Sequence, residues 1–446
     1  MTRFLENGDP LNVKRTLGAL GIAMTLLLPA LARAEDRMID IYRPEKIVHP
    51  VALPAFDVTG GDAALGTAIP DAMGRDLVFT GLFKVIDRAA YLEKPGAVKV
   101  TGEGTNWDDW NVLKASLIVR GSIRADASRL NATVAVFDVH GKNKIGERQI
   151  SEPLTALGKL EHELADAAYE LATGEKSFFS SRIAFVNNRA GNKELFMASF
   201  DGREETQVTR NRSINVSPAW SPDGKKLLFT SYVRAHPDLY LWDRTTDKFS
   251  RVSNREGINI GGVWAPQGRV LAATLSSEGG NPDIYLMQDD GRGMKRLTDH
   301  YGNDVSPTWS PDAQKIAFVS DRGGNPNVYV MSAQGTNPTR ITFEKDGAGK
   351  DNENPSWSPR GDRIAFQARV GGAWQILTMK PDGSEAHAIT SGGANEDPSW
   401  SPDGRMIACI RDGNVWVMEA DGSNARAITS GAGTYSNVTW SPRLPW

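Results

Sequence analysis

A tryptophan followed by a tight turn recurs six times in the second half of the chain, and this repetition constrains the fold more than any other feature. The copies are Trp220-Ser-Pro-Asp-Gly, Trp264-Ala-Pro-Gln-Gly, Trp309-Ser-Pro-Asp-Ala, Trp357-Ser-Pro-Arg-Gly, Trp400-Ser-Pro-Asp-Gly and Trp440-Ser-Pro-Arg. Successive tryptophans are 44, 45, 48, 43 and 40 residues apart. That period is typical of a four-stranded blade of a β-propeller.

The residues inside one repeat support this interpretation. Ser-Pro-Asp-Gly is turn chemistry, because proline presets φ, aspartate tolerates the second central position and glycine supplies a positive φ. A strand rich in branched and aromatic residues follows at 315–319, and a polar loop at 321–327 leads to a third strand at 328–331. A short fourth strand at 339–342 completes an antiparallel blade.

The count of strands indicates how the array closes. The second, third and fourth strands each occur six times, but the repeat that starts at Arg182 has no tryptophan strand before it. Conversely, no strand follows Trp440. We therefore expect the strand at 436–440 to complete the first blade and close a ring, which hides the sheet edges of an open array. Residues 182–446 are predicted to form an all-β six-bladed β-propeller.

The first thirty-four residues have the pattern of an export signal. Lys14 and Arg15 precede an apolar run at 17–31, which ends in the small-x-small sequence Ala32-Arg33-Ala34. A run of this length is shorter than the roughly 20 residues that a membrane-spanning helix needs. We interpret residues 1–34 as a signal peptide and predict a soluble, exported protein.

Residues 35–173 contain no repeat and read as a small α/β domain. Strands are predicted at 47–56, 83–86, 116–123, 129–139 and 144–150, and helices at 63–79, 107–114 and 153–172. The last helix has proline in its first turn and Gly174 just past its end, which are the usual start and stop signals. Residues 174–181 are interpreted as the linker to the propeller.

Composition and motifs exclude several functions. A net charge of −3 provides no dominant surface for phosphate backbones, so nucleic acid is not an expected partner. The single Cys409 cannot form an intrachain disulfide, and the six histidines occupy unrelated repeat positions. Gly-x-Ser-x-Gly, His-Glu-x-x-His, P-loop and Rossmann motifs are absent from the sequence. We predict a protein that is not an enzyme, with no catalytic residues, no metal and no cofactor.

Two features that could be mistaken for functional sites have structural explanations. Cys409 stands nine residues after its tryptophan, where other repeats have Phe229, Phe318 and Phe366, so we expect it in the core. The acidic stretch 346–354 lacks the alternating carboxylates and closing glutamate of a calcium loop. It is interpreted as a solvated loop.

The repeat register points to a candidate binding surface. Five residues before the six tryptophans stand Asn215, Asn259, Asp304, Asn352, Asn395 and Tyr435. They lie where the outer strand of one blade leads to the inner strand of the next, so they should converge on one mouth of the central channel. Each Asn or Asp could close a local side-chain turn. They could equally form a polar docking surface with nearby Ser217, Gly261, Ser306, Asn354 and Asp397, and both readings can hold together.

The export signal, the small α/β domain and the propeller with Trp-Ser-Pro-Asp-Gly turns together resemble the TolB family, with its WD40-like repeats. These are periplasmic proteins of the Tol–Pal envelope system of Gram-negative bacteria. The resemblance covers the chain after the signal peptide. It implies a monomeric, non-enzymatic adaptor that links TolA to the peptidoglycan-associated lipoprotein Pal, without inserting into the membrane itself. It also implies a role in outer-membrane integrity and in invagination during cell division.

The resemblance further implies two binding sites. Pal would dock at the channel mouth, on the residues Asn215, Asn259, Ile260, Gly261, Asp304, Val305, Ser306, Asn352 and Asn395. TolA would bind the N-terminal arm, which is formed by Glu35, Asp36, Arg37, Met38, Ile39, Asp40, Ile41 and Tyr42. The family's histidine contact falls near Ile258, which is a departure. We expect Pal binding to influence whether the arm is docked or free for TolA.

Two functions of other classes stay open at this point. One is an exported enzyme that uses the channel as its active site, for which the sequence supplies no nucleophile or convergent carboxylates. The other is a periplasmic propeller outside the Tol system that binds a small molecule or peptide.

Overall fold

The computed structural model describes residues 39, 47–94, 96–253, 255–277 and 280–444. The described chain forms a small N-terminal α/β domain followed by six four-stranded sheets, as the sequence predicts. The predicted signal peptide and the predicted arm, apart from Ile39, lie outside the described residues.

The N-terminal domain packs three helices against a mixed sheet. Its helices are α1 (Leu65–Phe79), α2 (Trp107–Val112) and α3 (Leu157–Thr173), and its strands are β1 (His49–Ala52), β2 (Asp57–Thr59), β3 (Phe83–Val85), β4 (Leu117–Ala125), β5 (Arg129–Asp138) and β6 (Asn143–Pro153). The sheet order is β3-β1-β4-β5-β6, and β2 also pairs with β4. Short 3₁₀ turns lie at Arg88–Ala90 and Leu154–Ala156.

The start predicted for the last helix is wrong. Pro153 is the final residue of β6, where it pairs with Arg129, and α3 begins only at Leu157. A proline is tolerated at the end of an edge strand because no ladder hydrogen bond is then required from it. The predicted stop is confirmed, since Gly174 caps the helix with φ +72°.

The propeller strands follow in regular order. They are β7 (Arg182–Asn187), β8 (Glu194–Ser199), β9 (Thr206–Gln207), β10 (Asn215–Trp220), β11 (Lys226–Ser231), β12 (Asp238–Asp243), β13 (Lys248–Ser253), β14 (Asn259–Trp264), β15 (Val270–Leu275), β16 (Asp283–Gln288), β17 (Lys295–Arg296), β18 (Asp304–Trp309), β19 (Lys315–Ser320), β20 (Asn327–Ser332), β21 (Thr339–Arg340), β22 (Lys350–Trp357), β23 (Ile364–Val370), β24 (Ala373–Met379), β25 (His387–Ala388), β26 (Asn395–Trp400), β27 (Met406–Arg411), β28 (Asn414–Glu419), β29 (Arg426–Ala427) and β30 (Tyr435–Trp440). A 3₁₀ turn, Glu344–Asp346, precedes β22.

The ring closes through the last strand, as predicted. β30 pairs antiparallel with β7 and gives the sheet order β30-β7-β8-β9. The backbone N–H of Ser441 donates to the Arg182 carbonyl at 2.8 Å, and the Arg182 N–H donates to the Ser441 hydroxyl at 2.8 Å. We call this sheet blade 1, and the blades that begin with β10, β14, β18, β22 and β26 are blades 2 to 6.

The repeat tryptophans pack between blades, as predicted. Trp220 lies in a cluster with Ala184 and Leu195 of blade 1, and Trp357 lies with Val328 of blade 4. Cys409 is buried in the core as expected, and burial raises the pKa of its thiol to about 12.

The N-terminal domain sits at the end of the propeller that bears the Ser-Pro-Asp-Gly turns, which we call the turn side. Trp440 packs edge-on against Phe178 at 5.6 Å between ring centroids. The Arg426 guanidinium lies over the Phe79 ring at 3.3 Å, and Arg405 donates to the Tyr169 hydroxyl. One continuous hydrophobic cluster runs through both domains. The opposite end, where outer strands lead to inner strands, is the loop side.

Ring closure generates a direct prediction. A chain truncated after Thr434 leaves β7 as an exposed edge and loses the buried Trp440, whose truncation alone is worth about 3–5 kcal/mol. We expect such a chain to unfold at lower denaturant concentration, with a broader transition, when it is followed by circular dichroism.

A synthetic peptide of residues 435–444 serves as the control. Added in excess, it should restore the midpoint by supplying the missing strand. A truncated chain with the midpoint of the full-length protein would show that β30 does not hold the ring closed.

Candidate functional site

The candidate site is the central channel, to which every blade contributes its inner strand. A cavity of about 220 Å³ is lined by all six of these strands. At its loop-side end lie six residues that occupy the same place in each blade, which we call the bulge ring. They are Ser217, Gly261, Ser306, Asn354, Asp397 and Asn437.

Each inner strand is interrupted at its bulge-ring residue. The pairing register with the second strand shifts there in every blade, for example between Val216 and Ala219 and between Glu396 and Ser399. All six bulge-ring residues have a left-handed backbone, with φ between 47° and 55°. Asn, Asp and Gly tolerate this conformation best, and they fill four of the six places. The bulge frees these backbone groups from the ladder and places them at the channel.

A chain of hydrogen bonds links the bulge ring from blade to blade. The Asp397 carboxylate accepts from Asn354 Nδ2 at 2.7 Å and from the backbone N–H of Asn437 at 2.8 Å. Ser306 Oγ donates to Asn354 Oδ1 at 3.3 Å, and the Ser217 N–H donates to Asn437 Oδ1 at 3.4 Å. Five blades are connected in this way, and the chain stops at blade 3, where Gly261 has no side chain.

Burial raises the pKa of three carboxyl groups at the channel mouth. Burial raises the pKa of Asp397, although its hydrogen bonds from the two asparagines oppose the shift. The pKa of Glu396 is raised by burial and by the neighbouring Asp397 carboxylate. Burial also raises the pKa of Glu353.

The six residues singled out by the sequence lie beneath this surface. Asn215, Asn259, Asp304, Asn352, Asn395 and Tyr435 are buried, and their side chains join elements of the propeller. Asn215 Nδ2 donates to Glu194 at 3.0 Å, and Asp304 accepts from Arg322 at 2.8 Å. The expectation that these side chains form the outer docking surface is therefore wrong in placement. The local-turn alternative is confirmed for the four asparagines, because Asn395 Nδ2, for instance, donates to the Gly392 carbonyl at 2.9 Å. Asp304 pairs with Arg322 instead.

The next residue along each inner strand is half-buried at the channel entrance. We call this set the mouth ring: Val216, Ile260, Val305, Glu353, Glu396 and Ser436. Blades 2 to 4 give it an apolar arc, whereas blades 5, 6 and 1 give it a polar, mostly acidic arc. The predicted Ile260 and Val305 belong to the mouth ring, and the predicted Gly261 and Ser306 belong to the bulge ring. Sequence reasoning missed five residues of the two rings, although the repeat register marks all of them: Val216, Glu353, Glu396, Ser436 and Asn437.

The predicted arm is represented among the described residues by Ile39. Its side chain is 1% exposed and belongs to the hydrophobic cluster that spans both domains. One residue of the arm is therefore docked against the protein in this structure.

The described residues contain neither a metal-binding cluster nor a membrane-spanning helix. No group of three or more His, Cys, Asp and Glu side chains in this part of the chain is arranged to hold a metal ion. None of the helices described is long and apolar enough to cross a membrane.

Comparisons with known proteins agree with this architecture. Residues 169–444 match the family model described as the TolB beta propeller domain, and residues 37–145 match the TolB amino-terminal domain. In the crystal structure of TolB from Acinetobacter baumannii, 97% of that chain superposes on 89% of this one, with a TM-score of 0.77 and 26% identity.

Curated relatives extend the match at higher identity. The Tol-Pal system protein TolB of Desulfosudis oleivorans is 37% identical over 65% of this chain and 66% of its own length. The protein TolB homolog of Chlorobium luteolum is 38% identical over 58% of this chain and 59% of its own length. The aligned part thus spans less than two thirds of each of these two relatives.

The channel geometry predicts a pH-dependent contribution from Asp397. Its pKa is raised in the folded protein above the ordinary 3.8, so the folded state holds the proton more tightly than the unfolded state. The stabilisation is complete below the ordinary pKa and is lost as pH rises through the raised value. We expect the unfolding free energy of the wild type, minus that of Asp397→Asn, to fall as pH rises above the ordinary value of about 4.

Asp312→Asn is the matched control for chemical denaturation. The Ser310 hydroxyl and a backbone N–H lower the pKa of Asp312, so its contribution is lost only as pH falls below the ordinary value. The unfolding free energy of the wild type, minus that of Asp312→Asn, should therefore not change over the same pH range. A flat difference for Asp397→Asn as well would contradict the raised pKa.

Proposed function

The chain belongs to the TolB family, and from this premise we propose that it is a periplasmic, non-enzymatic adaptor of the Tol–Pal system. In this proposal Pal binds at the channel mouth and TolA binds the N-terminal arm at residues 35–42. Residues 1–34 serve as the signal peptide. The adaptor, a monomer, supports outer-membrane integrity and invagination during cell division.

The observation that carries the Pal site is the composition of the channel entrance. The mouth ring joins an apolar arc (Val216, Ile260 and Val305) to acidic side chains, and the bulge ring beneath it presents amides and hydroxyls. Apolar contacts beside a modest number of hydrogen bonds are typical of a protein–protein interface. The entrance also lies on the loop side, at the end opposite to the N-terminal domain, so a partner could reach it without displacing that domain.

The size and polarity of the cavity disfavour the small-molecule alternative. Its volume of about 220 Å³ is below the roughly 300–1,000 Å³ of typical ligand pockets. Its loop-side polar groups already bond to one another across five blades. A ligand would have to replace these bonds, whereas a protein partner needs only the entrance.

The docked Ile39 supports the proposed coupling between the two sites. If Pal binding changes the equilibrium between a docked and a free arm, TolA affinity changes with it. Such coupling is reciprocal, so any change that frees the arm must alter Pal affinity by the corresponding factor.

The Pal site is tested by Val305→Glu. Glutamate occupies the equivalent place in blades 5 and 6, so the substitution should fold, but it interrupts the apolar arc. We expect Pal affinity to fall by about tenfold or more, the effect of losing about 1.4 kcal/mol. The measurement is calorimetric titration with the soluble domain of the same organism's Pal.

Gln314→Glu supplies the control for this titration, because it makes the same charge change in the same blade on the turn side. Its Pal affinity should equal that of the wild type. Equal losses in both variants would remove the channel mouth as the site, and no binding by the wild type would remove Pal as the partner.

The coupling is tested by Ile39→Asp, which places a charge in the buried cluster and should undock the arm. We expect Pal affinity to change by about fivefold or more, within the usual range of coupling energies. Deleting residues 35–42 should abolish TolA binding. An unchanged Pal affinity in both variants would separate the two sites energetically and contradict the mechanism.

A further inference from the structure

A second cavity opens on the loop side between blades 4 and 5. It has a volume of about 370 Å³. One wall is the connection from β21 to β22, which carries the 3₁₀ turn Glu344–Asp346. This connection belongs to the longest repeat, in which 48 residues separate Trp309 from Trp357. The other wall is the glycine-rich loop that contains Gly323 and Gly324.

The cavity is lined by Arg340, and the arginines at the same repeat position in two other blades form ion pairs. Thirteen residues after the start of the third strand, blades 2, 3 and 4 all have arginine: Arg251, Arg296 and Arg340. The first two bind the aspartate that begins that strand, with Arg251 to Asp238 at 3.4 Å and Arg296 to Asp283 at 2.5 Å.

In blade 4 the strand begins with Asn327 instead. Arg340 uses Nε to donate to the Thr342 carbonyl at 2.7 Å, and its guanidinium lies 4.8 Å from the centroid of the Phe343 ring. Among the described side chains, none of the carboxylates comes within 4 Å of its nitrogens. The place that a carboxylate fills in blades 2 and 3 is thus free in blade 4.

A second polar group at the same cavity lacks a partner. Asn352 lines the cavity and is 2% exposed, and its Oδ1 is buried without a hydrogen bond from any described residue. In blade 2 the equivalent Asn215 Oδ1 accepts from Ser231 Oγ at 2.8 Å. The residue at the place of Ser231 in blade 5 is Ala368, which follows the paired Gln367 and cannot donate. An acceptor that needs a donor therefore lies at the cavity with Arg340.

The other charged side chains that line the cavity have partners of their own. Lys350 faces Glu344 at 3.8 Å, and Asp351 faces Arg369 at 3.7 Å. The cavity thus offers one guanidinium without a carboxylate and one buried carbonyl oxygen without a donor. A peptide with an acidic side chain supplies both complements, since its carboxylate suits the guanidinium fork and its backbone N–H suits the amide oxygen.

We propose that the cavity between blades 4 and 5 binds an acidic side chain of a partner peptide, with Arg340 as its anchor. The identity of the partner as Pal rests on the proposed function, whereas the chemistry of the site does not. The carboxylate of the partner would pair with Arg340 as Asp238 pairs with Arg251 and as Asp283 pairs with Arg296.

The test compares four proteins by calorimetric titration with the soluble domain of Pal: wild type, Arg340→Gln, Asn327→Asp and Arg296→Gln. Asn327→Asp restores the internal carboxylate, as in blade 3, so it should occupy Arg340 without removing it. We expect both changes at the cavity to weaken Pal binding by about tenfold to a hundredfold, the range for a lost charge-assisted hydrogen bond. Arg296→Gln, the paired counterpart, should leave the affinity unchanged.

A second probe keeps the site testable without Pal. The blocked peptide acetyl-Asp-Gly-amide is titrated into protein labelled with ¹⁵N-arginine, and the Nε–H signals of Arg340 and Arg296 are followed by NMR. A saturable shift at Arg340, absent at Arg296 and absent in Asn327→Asp, supports the site even if Pal does not bind at all. Unchanged Pal affinity in both cavity variants overturns the proposal. So does the lack of an Arg340 shift with the peptide if Pal fails to bind the wild type.

Discussion

The pairing of β30 with β7 is the interaction on which the rest of the structure depends. It joins residues about 250 positions apart in sequence, completes blade 1, and so fixes the spacing of all six inner strands around the channel. The residues that follow β30 extend the same closure into the other domain. Leu444 donates its N–H to the Ser180 carbonyl of the linker at 3.1 Å, and Arg443 pairs with the buried Asp166 of α3 at 2.9 Å. One strand therefore holds both the ring and the domain interface.

Within the closed ring, the bulge in each inner strand determines what the channel can do. An uninterrupted ladder would commit the backbone groups of these residues to pairing inside the blade. The left-handed residue instead turns them toward the channel, where Asp397, Asn354 and Asn437 bond across blade boundaries. These bonds satisfy polar groups that would be costly to leave unpaired. The entrance above them keeps its apolar and acidic arcs available to a partner.

Much of the fold could be predicted because it follows from repetition. The tryptophan period, the turn chemistry and the unmatched strands at both ends predict the blades and their closure, and the position of Cys409 within its repeat predicts its burial. The site was predicted less well, because sequence register gives the order of residues but not the direction of their side chains. Asn259 and Asp304 begin their strands as expected, yet they face inward to join elements of the propeller. The significance of Arg340 appears only when its guanidinium, which has no carboxylate partner among the described residues, is compared with the ion pairs of Arg251 and Arg296.

The central claim is that the loop side of the propeller receives the partner while the turn side holds the N-terminal domain. Hydrogen–deuterium exchange of the protein with and without the soluble domain of Pal tests it most directly. The account predicts slower exchange on binding for segments that include residues 298–306 and 341–354, both on the loop side. Segments that include the turn-side residues 221–226 and 310–315 should be unchanged. Protection confined to the turn side, or none at all in a saturated complex, would contradict the account.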